Sequence, residues 1–396
     1  MRRRKWEVTF ALAIIALAFG RSLNFVQMGW LLDDNGLSVV SGKMPYWDFS
    51  NLWAGGKLAA QGLVSHLFDV AQYRADLKIV LSPHLQTGQE WSYPPSILLL
   101  AYPLSLLPIF PAYLSWTVGT ALLFLLSLRM LRLPWTVCAI VALSPAAMVN
   151  VTLGQNGALT TALLFLGLSL AQKRPLLAGC LFGLLTVKPH LGILVPICLL
   201  ASGNYRAIAS AAITTIALGL ATGILFGFDT WLLFWSETRP LMTAILEAPY
   251  PQDYQGNALS FFIMARWLGL DVYKAYVFQS VFTVLAAVTT FWLWTRDDRL
   301  DPQLRICATA LLTCLASPYG YTYDALALSA AIALLFLHHR KPNVFLLAVA
   351  WVFPPLNQSI PFSVGIIVPT LITLSMLRHV HWQPAERSER ASLKAS

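Results

Sequence analysis

The chain has 396 residues, 57% of them hydrophobic and only 11% charged, with a net charge of +9 and a mean hydropathy of +0.64. Soluble domains carry about 25% charged residues, so this composition excludes an ordinary soluble enzyme. At ~20 apolar residues per crossing, it leaves room for roughly a dozen membrane spans. The cations sit in short clusters between apolar runs, as topology signals do, which argues against nucleic acid as the partner of the positive charge.

In chain order, "MRRRKWEVTFALAIIALAFGRSLNF" has the basic and apolar regions of a signal peptide without a convincing small-residue cleavage site. It is read as an uncleaved first span. Further basic clusters follow at Arg129/Arg132, 172–174, 204–206, 295–299, 338–341 and 378–381. Placing every cluster in the cytoplasm predicts spans near 7–28, 111–131, 134–152, 157–171, 175–188 and 191–203. The second half adds 207–227, 275–294, 304–317, 323–337, 343–355 and 361–377. The expected fold is a single all-α polytopic unit over 1–396, with about twelve spans, both termini inside and a cytoplasmic tail from 378 to 396. The short, proline-broken segment 96–108 is expected to re-enter the membrane or lie at its surface.

This threading collects the polar material on the outer side: 29–95, "LGQNG" (153–157), "KPH" (188–190), 228–274, "SPYGYTYD" (317–324) and "PPLNQS" (354–359). In the first loop, "NLWAGGKLAAQG" and "DVAQYRADLKIVL" read as short amphipathic helices. No internal repeat is visible. Cys138, Cys180, Cys198, Cys307 and Cys314 lie in apolar runs without CxxC spacing, and are expected to pack as small residues, with neither a disulfide framework nor a metal site indicated.

Within the outer segments, Asp48 stands between Trp47 and Phe49. In an apolar surround such a carboxyl gains basicity and suits a general base; the alternative is a helix cap. Lys188, ahead of Pro189, places a cation near membrane depth, where it can meet a lipid phosphate or snorkel to headgroups. His190 fits a packing histidine or a ligand contact equally well. Gln155 and Asn156 can bind sugar hydroxyls or cap the next helix. Tyr93 lies in "WSYPPS" ahead of an apolar run, while Tyr319, Tyr321, Tyr323 and Asp324 stand at a span mouth, where aromatic belts account for the tyrosines but not for the acid, except as a helix cap. The second outer loop contributes Asp253, Asn257 and Arg266. Nucleotide-loop, metalloprotease and serine-hydrolase motifs are missing from the sequence.

The order "WDFSNLWAGGKLAAQG", "YPPSILLLAYPLSLLP", "GQNGALTTALLFLGL", "AGCLFGLLTVKPHLG", "SPYGYTYD" resembles glycosyltransferase family 87 over roughly residues 45–330. The resemblance implies a GT-C-type bundle that moves a sugar, such as mannose, from a polyprenyl-phosphate donor to an acceptor hydroxyl with inversion. It implies a site on the outer face of a plasma membrane and no nucleotide or redox cofactor. By the same resemblance Asp48 matches the first-loop acid assigned as base and Lys188 the lysine of a lysine-proline motif, and Gln155 and Asn156 match a "GQ-x-N"-like segment. His190 and Arg266 would assist Lys188 at the phosphate, and Tyr93, Tyr319, Tyr323 and Asp324 would meet sugar or acceptor. Trp53 and His190 depart from the pattern, where tyrosine and glutamine are frequent. The rival readings are a transporter or flippase of lipid-linked sugar, and an envelope-assembly subunit without activity.

Overall fold

A computed structural model describes residues 2–86, 88–295, 300–338, 343–357 and 362–380. Those residues are built from helices and short 3-10 turns; two isolated bridges, Leu32 with Ser38 and Ala258 with Tyr321, are the β pairings among them. The basic clusters at 295–299, 338–341 and 378–381, part of 354–359, and most of the tail lie wholly or partly outside the described residues.

The chain opens with α1 (Arg2–Trp30), followed by α2 (Trp47–Ala60) and α3 (Val70–Val80). Then come α4 (Leu98–Ser105), α5 (Ile109–Met130), α6 (Trp135–Ala142), α7 (Pro145–Leu153), α8 (Gly157–Leu170), α9 (Pro175–Leu184), α10 (Val195–Ala201) and α11 (Tyr205–Phe226). The 228–274 segment holds α12 (Asp229–Leu233), α13 (Arg239–Glu247) and α14 (Phe261–Trp267). It is followed by α15 (Val272–Thr295), α16 (Pro302–Ala316), α17 (Leu326–His338), α18 (Val344–Leu356) and α19 (Ile367–Val380).

Each expected span falls on one of these helices or on a broken pair, but few are long enough to cross alone. An α-helix rises 1.5 Å per residue, so a ~30 Å hydrocarbon core needs ~20 residues. By length and composition four described helices qualify: Leu12–Trp30, α5, α11 and α15. The pair α6 and α7, bent by 52°, makes a fifth if it is one span. The other apolar helices are 10–17 residues long. Prolines at 175, 189, 196 and 302 start fresh turns, because a ring nitrogen cannot donate to the preceding turn. The structure therefore supports a membrane protein with four or five full-length spans, and the count of twelve rests on the hydropathy pattern. Segment 95–105 is likewise too short to cross.

Two buried clusters matter for the site. The larger joins α5, α8, α16 and α17 through residues such as Phe124, Phe165, Leu311 and Leu334. The smaller gathers around α2 and α3 and centres on Phe49, Leu58, Tyr73, Trp91 and Ile97. Helix α2 was expected to lie half-exposed at the interface. Instead Phe49 through Gly56 are all buried, because α4 and the 88–93 segment cover its other face. Close approach demands its glycines: a Cβ on Gly55 would sit 2.1 Å from Cζ3 of Trp91, whose ring is only 1% exposed. Gly55→Ala should therefore lower stability by about 1–3 kcal/mol, read as a lower melting temperature in detergent. An unchanged melting temperature would show that Trp91 can move aside.

Candidate active site

Asp48 lies in the first turn of α2, half-buried. Tyr46 occupies the position before the helix and no side chain caps it, so the capping alternative for Asp48 is not what its carboxyl does. The carboxyl instead lies where the Gln155 amide, Lys188 and Lys43 all favour its charged form. Burial outweighs these partners and pushes its pKa up to about 6, the direction expected when the charged form loses water.

Polar residues that the motif reading passed over fix this turn in place. Gln89 Nε2 donates to the carbonyl of Trp47 at 2.9 Å, and Asn51 Nδ2 to that of Glu90 at 3.1 Å. The Tyr73 hydroxyl donates to the Asn51 side chain, and Arg74 pairs with Glu90. A buried amide facing a backbone carbonyl 39 residues away leaves no periodic trace, so only the cluster "GQE" just before "WSYPP" hinted at it.

Lys188 ends the 3-10 turn Leu185–Val187 that continues α9. Its Nζ donates to Asp324 Oδ1 at 2.5 Å and to Asn156 Oδ1 at 3.1 Å. The ammonium also lies 4.9 Å from the ring centre of Tyr323, within cation–π range. The lysine side chain is 11% exposed and that of Asp324 1%. Asn156 stands at the start of α8 without capping it, so both amides of "LGQNG" turn to charged side chains instead: Gln155 to Asp48 and Asn156 to Lys188.

Asp324 arrives on the 3-10 turn Thr322–Asp324. That turn is drawn onto the start of α8: a Cβ on Gly157 would lie 2.1 Å from the Tyr323 carbonyl, and Asn150 Nδ2 donates to that carbonyl at 3.3 Å. Burial raises Asp324 above the usual carboxylate range while Lys188 pulls it down. Its Oδ2 has no hydrogen-bond partner among the described residues. Tyr93 and Tyr323 both lie within reach of Asp48 and Asp324, and burial drives both phenols up. Tyr321 stacks on Tyr323 with ring centres 5.4 Å apart.

Asp48, Tyr93, Gln155, Asn156, Lys188, Tyr323 and Asp324 thus form one cluster, drawn from four separate polar segments of the chain. His190 lies at its edge, 6.1 Å from the Tyr319 ring, with Nε2 buried and without a partner among the described residues. Tyr319 faces α13, near Thr243, Glu247 and Arg239. Arg266 is set apart: its Nη1 donates to the carbonyl of Leu270 at 3.2 Å and its charge acts on Asp271. The arginine near Tyr319 is Arg239 of α13. Asp253 and Asn257 bound a short 3-10 turn, and Asn357 of 354–359 donates to the carbonyl of Gly256 at 2.8 Å.

The sequence profile of glycosyltransferase family 87 matches residues 91–318, more than half of the chain. This chain belongs to glycosyltransferase family 87. No curated protein and no solved structure matches it. The matched stretch carries Tyr93, Gln155, Asn156, Lys188 and His190, and the structure completes the cluster from either side with Asp48 and Asp324. As a member of family 87 the chain is a membrane glycosyltransferase, which needs a sugar donor and an acceptor.

Proposed function

We propose that this family-87 chain transfers a sugar, mannose or a related hexose or pentose, from a polyprenyl phosphate to an acceptor hydroxyl at the outer face of the plasma membrane, with inversion. Asp48 takes the proton of the acceptor hydroxyl as its oxygen bonds to the anomeric carbon. The bond from that carbon to the phosphate oxygen breaks through an oxocarbenium-like transition state, and its electron pair leaves with the polyprenyl phosphate. Lys188 stabilises the charge that grows there. Tyr93, Tyr323, Gln155 and Asn156 surround the sugar.

One observation carries this reading: a carboxyl raised to about 6 and a buried ammonium share a single polar cluster on an otherwise apolar chain. A second feature is consistent with a prenyl carrier. An apolar cleft of about 320 Å³ is lined by Thr186 and Pro189, which flank Lys188 in the sequence, and by Leu199 of α10 and Ile208 and Thr215 of α11.

The test is transfer by the purified protein in nanodiscs, offered a panel of polyprenyl-phosphate sugars and hydroxyl acceptors. One donor should give product of inverted configuration. Because Asp48 acts as base only when ionised, kcat/KM should fall as the pH drops below about 6. A rate that stays flat through that range would remove Asp48 as the base. Donor binding without product at any pH would favour a carrier of lipid-linked sugar instead.

A further inference from the structure

The cluster contains a conflict that the proposed mechanism leaves open. An ammonium has three N–H donors. In Lys188 one goes to Asp324 and one to Asn156, and the group lies against the Tyr323 ring. The cation assigned to the donor phosphate is thus already neutralised by a carboxylate that is 1% exposed. A phosphate reaching Lys188 would place two anions on one ammonium, with Asp48 close by as a third acidic group.

Among the described residues, Lys188 is the cation that bonds to Asp324. Tyr321 and Tyr323 come from its own loop, Tyr93 from the 88–95 segment and Cys314 from α16; Asp48 acts on Tyr93 and Tyr323, and His190 stands by Lys188 with its Nε2 buried and unpartnered. Lys43 acts on Asp48 and lies over Trp47, 4.3 Å from its ring centre. Of the two anions that would share Lys188, a phosphodiester stays ionised throughout the physiological range, whereas a buried carboxyl can take up a proton. The unpartnered Oδ2 of Asp324 is where that proton would sit, and as an O–H it becomes a donor to the phosphate.

Resting on the assignment of Lys188 to the phosphate, we propose that Asp324 is a competing counter-ion: it holds the Lys188 ammonium in register when no phosphate is bound and releases it by taking a proton from solvent when the lipid phosphate arrives. The one bond made is the O–H on Asp324, its proton coming from a hydronium that leaves as water; the phosphodiester is unchanged. The same competition helps expel the product, since Asp324 reclaims Lys188 as it loses the proton. Asp324 is a positioning residue here, acting through Lys188.

Binding of a short-chain prenyl methyl phosphodiester, which carries one charge at every pH used, tests this without turnover. Calorimetry on the full chain in nanodiscs is run in an Asp48→Asn background, so that Asp48 cannot supply the pH dependence. With Asp324 present, affinity should fall as pH rises, and binding should take up protons when measured in buffers of different ionisation heat. Asp324→Asn mimics the protonated acid: it should bind roughly tenfold tighter at the alkaline end, with the slope against pH removed. In the wild-type background Asp324→Asn should lower both the donor KM and kcat, because product is retained; a folding defect does not improve KM. Lys188→Met should lose binding.

Equal affinity and an equal pH slope with and without Asp324, together with loss of binding in Lys188→Met, would overturn the counter-ion role and leave the phosphate site standing. Full binding by Lys188→Met would overturn both. If Asp324→Asn does not fold, the absence of proton uptake in the Asp48→Asn protein alone rejects the proposal.

Discussion

Asp48→Asn should reduce sugar transfer by about 10²–10⁴-fold, the range lost when a positioned proton acceptor is removed. Asparagine has nearly the same shape, and its side-chain oxygen can still face the Gln155 amide. The lock on this turn, formed by Gln89, Asn51 and Tyr73, does not involve the carboxyl. Membrane insertion and melting temperature should therefore stay near wild type. The substitution removes a group needed only once the acceptor hydroxyl attacks, so kcat should carry the loss and the donor KM should change little. The fall in kcat/KM below about pH 6 should vanish from the residual rate, since the group responsible is Asp48. Single-turnover assays with a bound polyprenyl-phosphate sugar separate these quantities. Transfer at the wild-type rate by a correctly inserted Asp48→Asn protein would dismiss the base assignment and leave Asp324 as the carboxyl to examine.

How much of this was legible in the sequence differs from residue to residue. The helices follow the apolar runs, and the short polar interruptions at 153–157, 188–190 and 317–324 do meet, through Asn156, Lys188 and Asp324. The pairing of Lys188 with Asp324, 136 positions apart, could not be read that way. Both residues looked like isolated membrane-edge charges, and only the contact of the 322–324 turn with the start of α8 brings them together. The burial of α2 was hidden for a related reason: periodicity shows which face of a helix is apolar but not whether α4 and Trp91 will cover the other. Arg266 failed to join the cluster because α14 ends at once, and the chain turns through Gly269, at φ +84, to bring the Leu270 carbonyl onto the guanidinium. The number of full spans was the least legible feature, since hydropathy registers an apolar stretch whether or not a proline divides it.

The second large effect concerns Lys188 as a structural charge. Replacing it with methionine keeps the length of the side chain but leaves Asp324 buried with no cation facing it. Breaking a buried pair from one side costs about 3–5 kcal/mol when the remaining charge stays ionised. Lys188 is what pulls Asp324 down against burial, so its loss raises the folded-state pKa further above the unfolded value. The folded chain then holds a proton that the unfolded chain releases, and stability is lost as pH rises from the unfolded carboxyl range upward. Lys188→Met should accordingly melt close to wild type in acid and well below it at neutral and alkaline pH. Adding Asp324→Asn removes the orphaned charge and should restore most of the melting temperature without restoring transfer, because the phosphate still lacks its cation. Melting curves of the single and double variants across pH, alongside transfer assays, read both effects. A deficit of the same size at every pH, unrelieved in the double variant, would mean that Lys188 supports the fold through its methylene packing and its bond to Asn156 rather than through its charge.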